Sequence, residues 1–302
     1  MSEIEKLAGI MPAIASPCDE RDVLQEEEFA RLAEHLYEQG VHGLYVAGGT
    51  GEGIRLRLEE RKRLAEIAVE ISKPYGGVVI CHVGANNTRD GMELAEHAAS
   101  AGVDAVSSLP PPHCTHAQIT SYYADVARAG QLPTLVYHIP MLTGVSASVA
   151  QMLEWLDIEG VVGLKSSDWN LYFARRLRRE RPEIALFNGM DEILCPALLY
   201  GATGGIGMWY NVFPRLFLGI YDAVRAGEVQ RAMKLQERFL DLAQLGWDYG
   251  MAGVWEMVMR RQGLARRARR RPRPELDDEA RRKVEELLPS RIEAIEEVLE
   301  DE

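Results

Sequence analysis

Lys165 stands near the end of the run Val161-Val162-Gly163-Leu164-Lys165-Ser166-Ser167, and Asp168 follows at once. A short apolar run of this kind reads as a strand buried on both faces. The lysine then sits at the strand's C-terminal end with its stem among apolar neighbours. Burial disfavours the charged form of an amine, and a neutral amine is the nucleophile that condenses with a carbonyl to form a Schiff base. A lysine that simply reaches solvent from a strand end is the plainer reading of the same residue.

Other reactive or polar residues recur at comparable places. Tyr137, in Val136-Tyr137-His138-Ile139-Pro140, offers a phenol that could pass protons to and from a carbonyl oxygen; an ordinary core tyrosine would also fit. In Gly48-Gly49-Thr50-Gly51-Glu52, glycines let the backbone approach an anion and Thr50 adds a hydroxyl donor, although a structural turn has the same composition. In Asn188-Gly189-Met190-Asp191-Glu192 the two acids could grip substrate hydroxyls or cap the next helix. His113-Cys114-Thr115-His116 brings three metal-capable side chains together. No HExxH and no second cluster completes a site, so no metal is expected, and His113 remains a polar residue in a loop.

The elements that must position these residues alternate along the chain. Strand-like segments fall at residues 9–16, 41–47, 78–82, 105–109, 134–138, 161–167, 185–188 and 204–207. Helical spacing fills the intervals, near residues 26–39, 58–72, 88–101, 117–128, 146–156, 171–181 and 192–200. Strands alternating with helices imply a parallel sheet. Eight repeats over roughly 220 residues match a (β/α)8 TIM barrel, an α/β fold whose chemistry gathers at the C-terminal ends of the strands. A doubly wound open sheet is the alternative, weakened because no G-x-G-x-x-G follows the first strand. The expected organisation is a catalytic barrel over residues 1–227 and a C-terminal helical extension over 228–302, packed on it.

Bulk properties narrow the function classes. A net charge of −12 argues against nucleic acid and against an anionic membrane as partners. No apolar run approaches the ~20 residues of a membrane span, and the N-terminus lacks the layout of a signal peptide. Cys18, Cys81, Cys114 and Cys195 are widely spaced, as expected of reduced thiols in a cytoplasmic protein. Six arginines between Arg266 and Arg273 read as a solvated or anion-pairing linker ahead of a helix opened by Asp277, Asp278 and Glu279.

Together these motifs resemble the family of dihydrodipicolinate synthase and N-acetylneuraminate lyase, the pyruvate-handling class I aldolases. The matching residues are Gly48–Glu52, Tyr137-x-x-Pro140-x-x-Thr143-Gly144 and Gly163-x-Lys165. The likeness runs from about Gly9 to Gly263. Residues 187–192, Gly204–Gly207 and Tyr210-Asn211 are most similar to the neuraminate lyase branch. The resemblance implies a homotetramer and no metal or organic cofactor, the covalent lysine imine taking that place. It also implies Lys165 as the Schiff-base residue, Tyr137 as proton relay, and the Thr50 turn with backbone at Ile206 as the seat of the pyruvyl carboxylate. Gly189, Asp191 and Glu192 would face a polyhydroxyl tail, and Ser167 replaces a threonine.

Several positions depart from the family. Gly49 stands where the family has a hydroxyl residue, and His113 where it has a tyrosine; both positions belong to the relay with the central tyrosine. His113 could substitute, since imidazole titrates near neutrality. Leu142 replaces the arginine that the synthase needs, and Met208 a serine that contacts sugar in the lyase. The expected activity is therefore cleavage or formation of a carbon–carbon bond between pyruvate and an aldehyde, on a 2-keto-3-deoxy sugar acid or a related 2-oxo acid. A dehydratase using the same imine, dihydrodipicolinate synthesis, and a keto-acid-binding barrel without turnover are the alternatives.

Overall fold

A computed structural model describes residues 6–300. Its sheet has eight parallel strands: β1 (Gly9–Pro12), β2 (Gly43–Val46), β3 (Val78–His82), β4 (Ala105–Ser108), β5 (Thr134–His138), β6 (Val161–Ser166), β7 (Ala185–Asn188) and β8 (Gly204–Gly207). They follow one another around a ring, β1 pairs with β8, and an Ala13–Tyr45 bridge brings the ring nearly to closure between β1 and β2. The architecture is a TIM barrel with a helical extension.

Helices α1 (Glu26–Glu38), α2 (Leu58–Ser72), α3 (Thr88–Ala101), α4 (His116–Gly130), α5 (Val149–Leu156), α6 (Leu171–Glu180), α7 (Leu194–Leu199) and α8 (Pro214–Ala226) surround it. Local sequence explains their form. In α1, Phe29, Leu32, Ala33, Leu36 and Tyr37 recur at helical spacing and are buried, which gives one apolar face toward the sheet. Asn87 caps α3, and Thr115 with Gln118 and Ser148 with Gln151 form capping boxes on α4 and α5, satisfying amides at those helix starts.

Two apolar cores result from strand alternation. Met11, Tyr45, Ile80, Leu135, Tyr137, Phe187 and Ile206 point into the barrel, while Leu44, Val46, Val136 and Leu164 point out against the helices. The outer core continues into α9 (Val229–Tyr249), α10 (Met251–Arg261) and α11 (Asp278–Glu300) through Leu235, Phe239, Val254, Trp255, Val258 and Ile295.

Two details differ from the sequence expectation, and a third decides between its alternatives. The helix expected over residues 192–200 is a 3-10 turn at Asp191–Ile193 followed by the short α7. A helical turn at Pro140–Thr143, absent from the expectation, ends the tyrosine motif. Of the two readings of the arginine-rich segment, solvated or anion-pairing, the structure shows anion pairing. Arg266 and Arg271 are exposed, but Arg269 and Arg270 are buried, because the segment straps back over the loops after β1 and β2. Arg269 pairs with buried Glu256 at 2.6 Å; Arg270 gives its amide to Glu52 at 2.7 Å and a guanidinium proton to the Ser16 carbonyl at 2.7 Å.

Candidate active site

Barrel geometry alone brings the lysine and the tyrosine together. Tyr137 of β5, Lys165 of β6 and Phe187 of β7 share one register and therefore one inward-facing layer. Adjacent strands lie about 4.8 Å apart, so their inward side chains touch. Lys165 is 3% exposed. Its Nζ lies 4.4 Å from the ring centroid of Tyr137 and 4.4 Å from that of Tyr45. The two phenol rings meet edge to face at 5.9 Å, and the Tyr45 hydroxyl donates to Ser107 Oγ at 3.1 Å. Two aromatic faces thus line one nitrogen.

His82, at the end of β3, completes the aromatic wall, its ring perpendicular to Tyr137 at 5.9 Å. Burial, then Arg61 and Lys165, hold it well below the usual imidazole range, so it is neutral. Its ring lies against the Ala47 carbonyl, and the Leu109 amide donates to Nε2 at 3.3 Å. Sequence reasoning missed Tyr45 and His82. Each sits in a strand that ends at the site, and counting inward parity from Tyr137 across the ring would have pointed to Tyr45.

The turn after β2 lies on the same side. A Cβ added at Gly49 would stand 3.3 Å from the Tyr137 hydroxyl, so this glycine borders the phenol directly. The Gly49, Thr50 and Gly51 amides and the Thr50 hydroxyl have no hydrogen-bond acceptor among the described residues. They form a set of donors suited to a carboxylate. Beneath them, Glu52 is buried and held by Arg270 and by Arg273 at 3.1 Å, which ties the turn to the arginine strap.

On the far side, Gly189 passes close to the lysine. A Cβ there would come within 3.0 Å of Lys165 Cε and 2.1 Å of Ser167 Oγ, so any side chain would displace the serine hydroxyl and crowd the lysine. Ser167 is buried and its amide donates to the His138 carbonyl at 2.8 Å. Asp191 is buried; its Oδ2 accepts from the Trp209 amide at 2.8 Å, and its Oδ1 has no partner among the described residues. Burial and then the neighbouring Glu192 push its carboxyl up to about 8. Burial also raises Glu192, whose Oε1 accepts from Trp247 Nε1 at 2.9 Å. Ile206 is buried inside the barrel, and the half-buried Met208 gives its carbonyl to Trp255 Nε1 at 3.1 Å.

His113 is exposed on the loop after β4 with a left-handed φ of 58°. No described contact joins it to Lys165, Tyr137 or Thr50 within this chain. No group of histidine, cysteine or acidic residues suited to a metal occurs among the described residues.

Residues 6–291 match the dihydrodipicolinate synthetase family. An N-acetylneuraminate lyase of Escherichia coli is 39% identical over 239 residues, covering 76% of this chain and 78% of that protein. A Ruminococcus gnavus sialic acid aldolase, solved as a catalytic lysine mutant, superposes with a TM-score of 0.91 at 29% identity, over 99% of this chain and 100% of that one. CdNal of Clostridium difficile, solved with mannosamine, gives a TM-score of 0.88 at 28% identity, covering 94% and 98%. With its barrel, its lysine layer and these relatives, the chain belongs to the dihydrodipicolinate synthetase family, on its N-acetylneuraminate lyase branch.

Proposed function

We propose that this protein cleaves or forms the bond between pyruvate and a sugar aldehyde through an imine on Lys165, with a 2-keto-3-deoxy sugar acid as substrate. The chain is an enzyme, a class I pyruvate aldolase of the lyase class. The observation that carries the imine is Lys165 Nζ at 4.4 Å from both phenol rings, in register with Tyr137 on the next strand.

In the cleavage direction, Nζ adds to C2 of the 2-oxo acid and water leaves, giving an iminium. Tyr137 takes the proton of the C4 hydroxyl as the C3–C4 bond breaks. The bonding pair moves into the iminium, giving an enamine and the free aldehyde. Protonation at C3 and hydrolysis then return pyruvate and the lysine. The two ring faces favour the cationic iminium, and the donors of the Thr50 turn, with backbone near Ile206, take the carboxylate. Gly189 leaves room beside the lysine, Ser167 lines that wall, and Asp191 and Glu192 take hydroxyls of the tail, with Met208 at their edge. No metal or organic cofactor enters this scheme.

His113 has no partner among the described residues and is exposed, so we assign it to contact between copies of a homotetramer rather than to the relay within one chain. Exposed Tyr172, Leu199 and Tyr200 are the kind of apolar surface another copy covers. Unpaired cysteines suit the cytoplasm. Leu142, apolar and exposed, offers no charge for a second carboxylate, which disfavours dihydrodipicolinate synthesis.

Incubation with pyruvate and borohydride tests the central step: a pyruvyl mass should appear on the Lys165 peptide, and its absence would end the imine mechanism. Pyruvate release from keto-deoxy sugar acids, coupled to lactate dehydrogenase, separates the lyase from its rivals. Gly49 and His113 favour a second reading, a barrel that binds keto acids without turnover. Trapping without release would support it. Consumption of a keto-deoxy sugar acid without pyruvate would instead identify a dehydratase.

A further inference from the structure

Two indole rings stand where the loop after β6 and the C-terminal end of α9 meet the sugar-tail side of the site. Trp169 and Trp247 are 47% and 45% exposed, whereas Trp155, Trp209 and Trp255 are buried. Their ring centroids lie 6.0 Å apart with the planes inclined at 48°. Neither ring makes another aromatic or cation contact among the described residues. The patch is joined to the site rather than to the outer helices. Trp247 Nε1 donates to Glu192 Oε1 at 2.9 Å, and Glu192 is the chain neighbour of Asp191.

Burying such a ring would contribute on the order of 1.5–3 kcal/mol to stability, so two large rings left open at a site mouth call for a contact. A sugar offers one edge rich in hydroxyls and one face rich in C–H bonds. Indole faces match the second, and a carboxylate matches the first. Trp247 serves both needs. Its N–H occupies Glu192 Oε1 and fixes the carboxylate, which leaves Oε2 for a hydroxyl, and its ring remains open beside it.

We propose that Trp169 and Trp247 form a stacking subsite for the far end of the sugar chain, beside Glu192, and that they make the enzyme select six-carbon sugar aldehydes over three-carbon ones. This rests on the pyruvate aldolase reading above.

Two measurements on the full chain test it. In the first, iodide quenches tryptophan fluorescence of the assembled wild-type enzyme. Quenching should be strong and reduced by mannose, but not by glyceraldehyde. Rings that iodide cannot reach would mean that another copy covers them, which would overturn the subsite. In the second, the KM for mannose relative to that for glyceraldehyde is compared across variants in condensation with pyruvate. Trp169→Ala should raise that ratio about tenfold, the scale of one to two aromatic contacts. Trp169→Phe should restore most of the loss, and Trp247→Phe should raise the ratio by less, through the loosened Glu192. An unchanged ratio in Trp169→Ala would overturn the proposal. Borohydride trapping of pyruvate on the same samples separates the two levels. Label with an unchanged ratio defeats the subsite alone; no label in the wild type defeats both readings.

Discussion

The two ends of the site are built by different parts of the molecule. At the pyruvate end, Lys165, Tyr137, Tyr45 and His82 project from four barrel strands, and strand register sets their positions. At the tail end the loops are braced by side chains of the C-terminal extension. Gln236 Nε2 donates to the Asp191 carbonyl at 3.1 Å, Trp247 holds Glu192, and Trp255 holds the Met208 carbonyl. The hydrogen-bond inventory differs as well. Around the lysine, the Tyr45 hydroxyl and both His82 ring nitrogens have partners, while at the tail end Asp191 Oδ1 is buried without one among the described residues. The first end is a fixed reaction chamber. Both ends keep polar atoms for a ligand, the donors of the Thr50 turn at the first and Asp191 Oδ1 at the second, and the second adds open indole rings. Substrate choice can thus change while the imine chemistry stays put.

The sharpest way to break this contrast is Lys165→Ala. Pyruvate release should vanish and the borohydride adduct should be absent; surviving activity would mean the chamber is elsewhere. Tyr137→Phe should lower kcat by about 10²–10⁴-fold, the usual worth of a positioned acid–base group, while still allowing slow imine trapping. A change in KM alone would remove the phenol from the proton path.

The carboxylate turn belongs to the chamber but leans on the C-terminal strap. Glu52→Ala leaves the buried Arg270 amide without its acceptor and the half-buried Arg273 without its acid, and such a loss costs on the order of 1–3 kcal/mol. Chemical denaturation should show that loss together with a raised KM for pyruvate. A surface-like loss below about 0.5 kcal/mol would show that the strap merely lies there.

At the tail end, Asp191 makes stability depend on pH. Its carboxyl stands at about 8 in the folded chain against 3.8 ordinarily, so the folded state holds a proton that the unfolded state releases. Its contribution is full below about pH 4 and is lost as pH rises through about 8. Asp191→Asn should therefore gain in thermal midpoint relative to wild type between about pH 5 and 9, and parallel curves would contradict the assignment. The smallest effect is expected at Gly49→Ser. The backbone there is outside the left-handed region, and the added Cβ meets only the phenol oxygen at 3.3 Å. Stability should move by less than about 1 kcal/mol and the rate by a few-fold. Gly49→Val, with no hydroxyl to offer Tyr137, should lower kcat further.

Much of the chamber was legible in the sequence because local patterns specify it. Alternating apolar runs and helical faces define the elements. A lysine and a tyrosine at the ends of neighbouring strands, and a glycine-rich turn at the end of a third, need only the barrel to converge. The tail end was legible only as the acids Asp191 and Glu192, since the residues that brace this end, Gln236, Trp247 and Trp255, lie 45, 55 and 47 positions away from their partners. The arginine run was similarly opaque. Six like charges in sequence suggest solvent or anion pairing, and only folding reveals which acids Arg269 and Arg270 return to, Glu256 and Glu52. By itself, then, the sequence determined the periodic elements, their parallel barrel and the reactive residues at strand ends, because hydrophobic period and turn chemistry act over a few residues. The tertiary structure alone decided which phenol joins Tyr137 over the lysine, which acid is held protonated and which indoles stay open. Those outcomes depend on burial and on contacts between segments far apart in the chain.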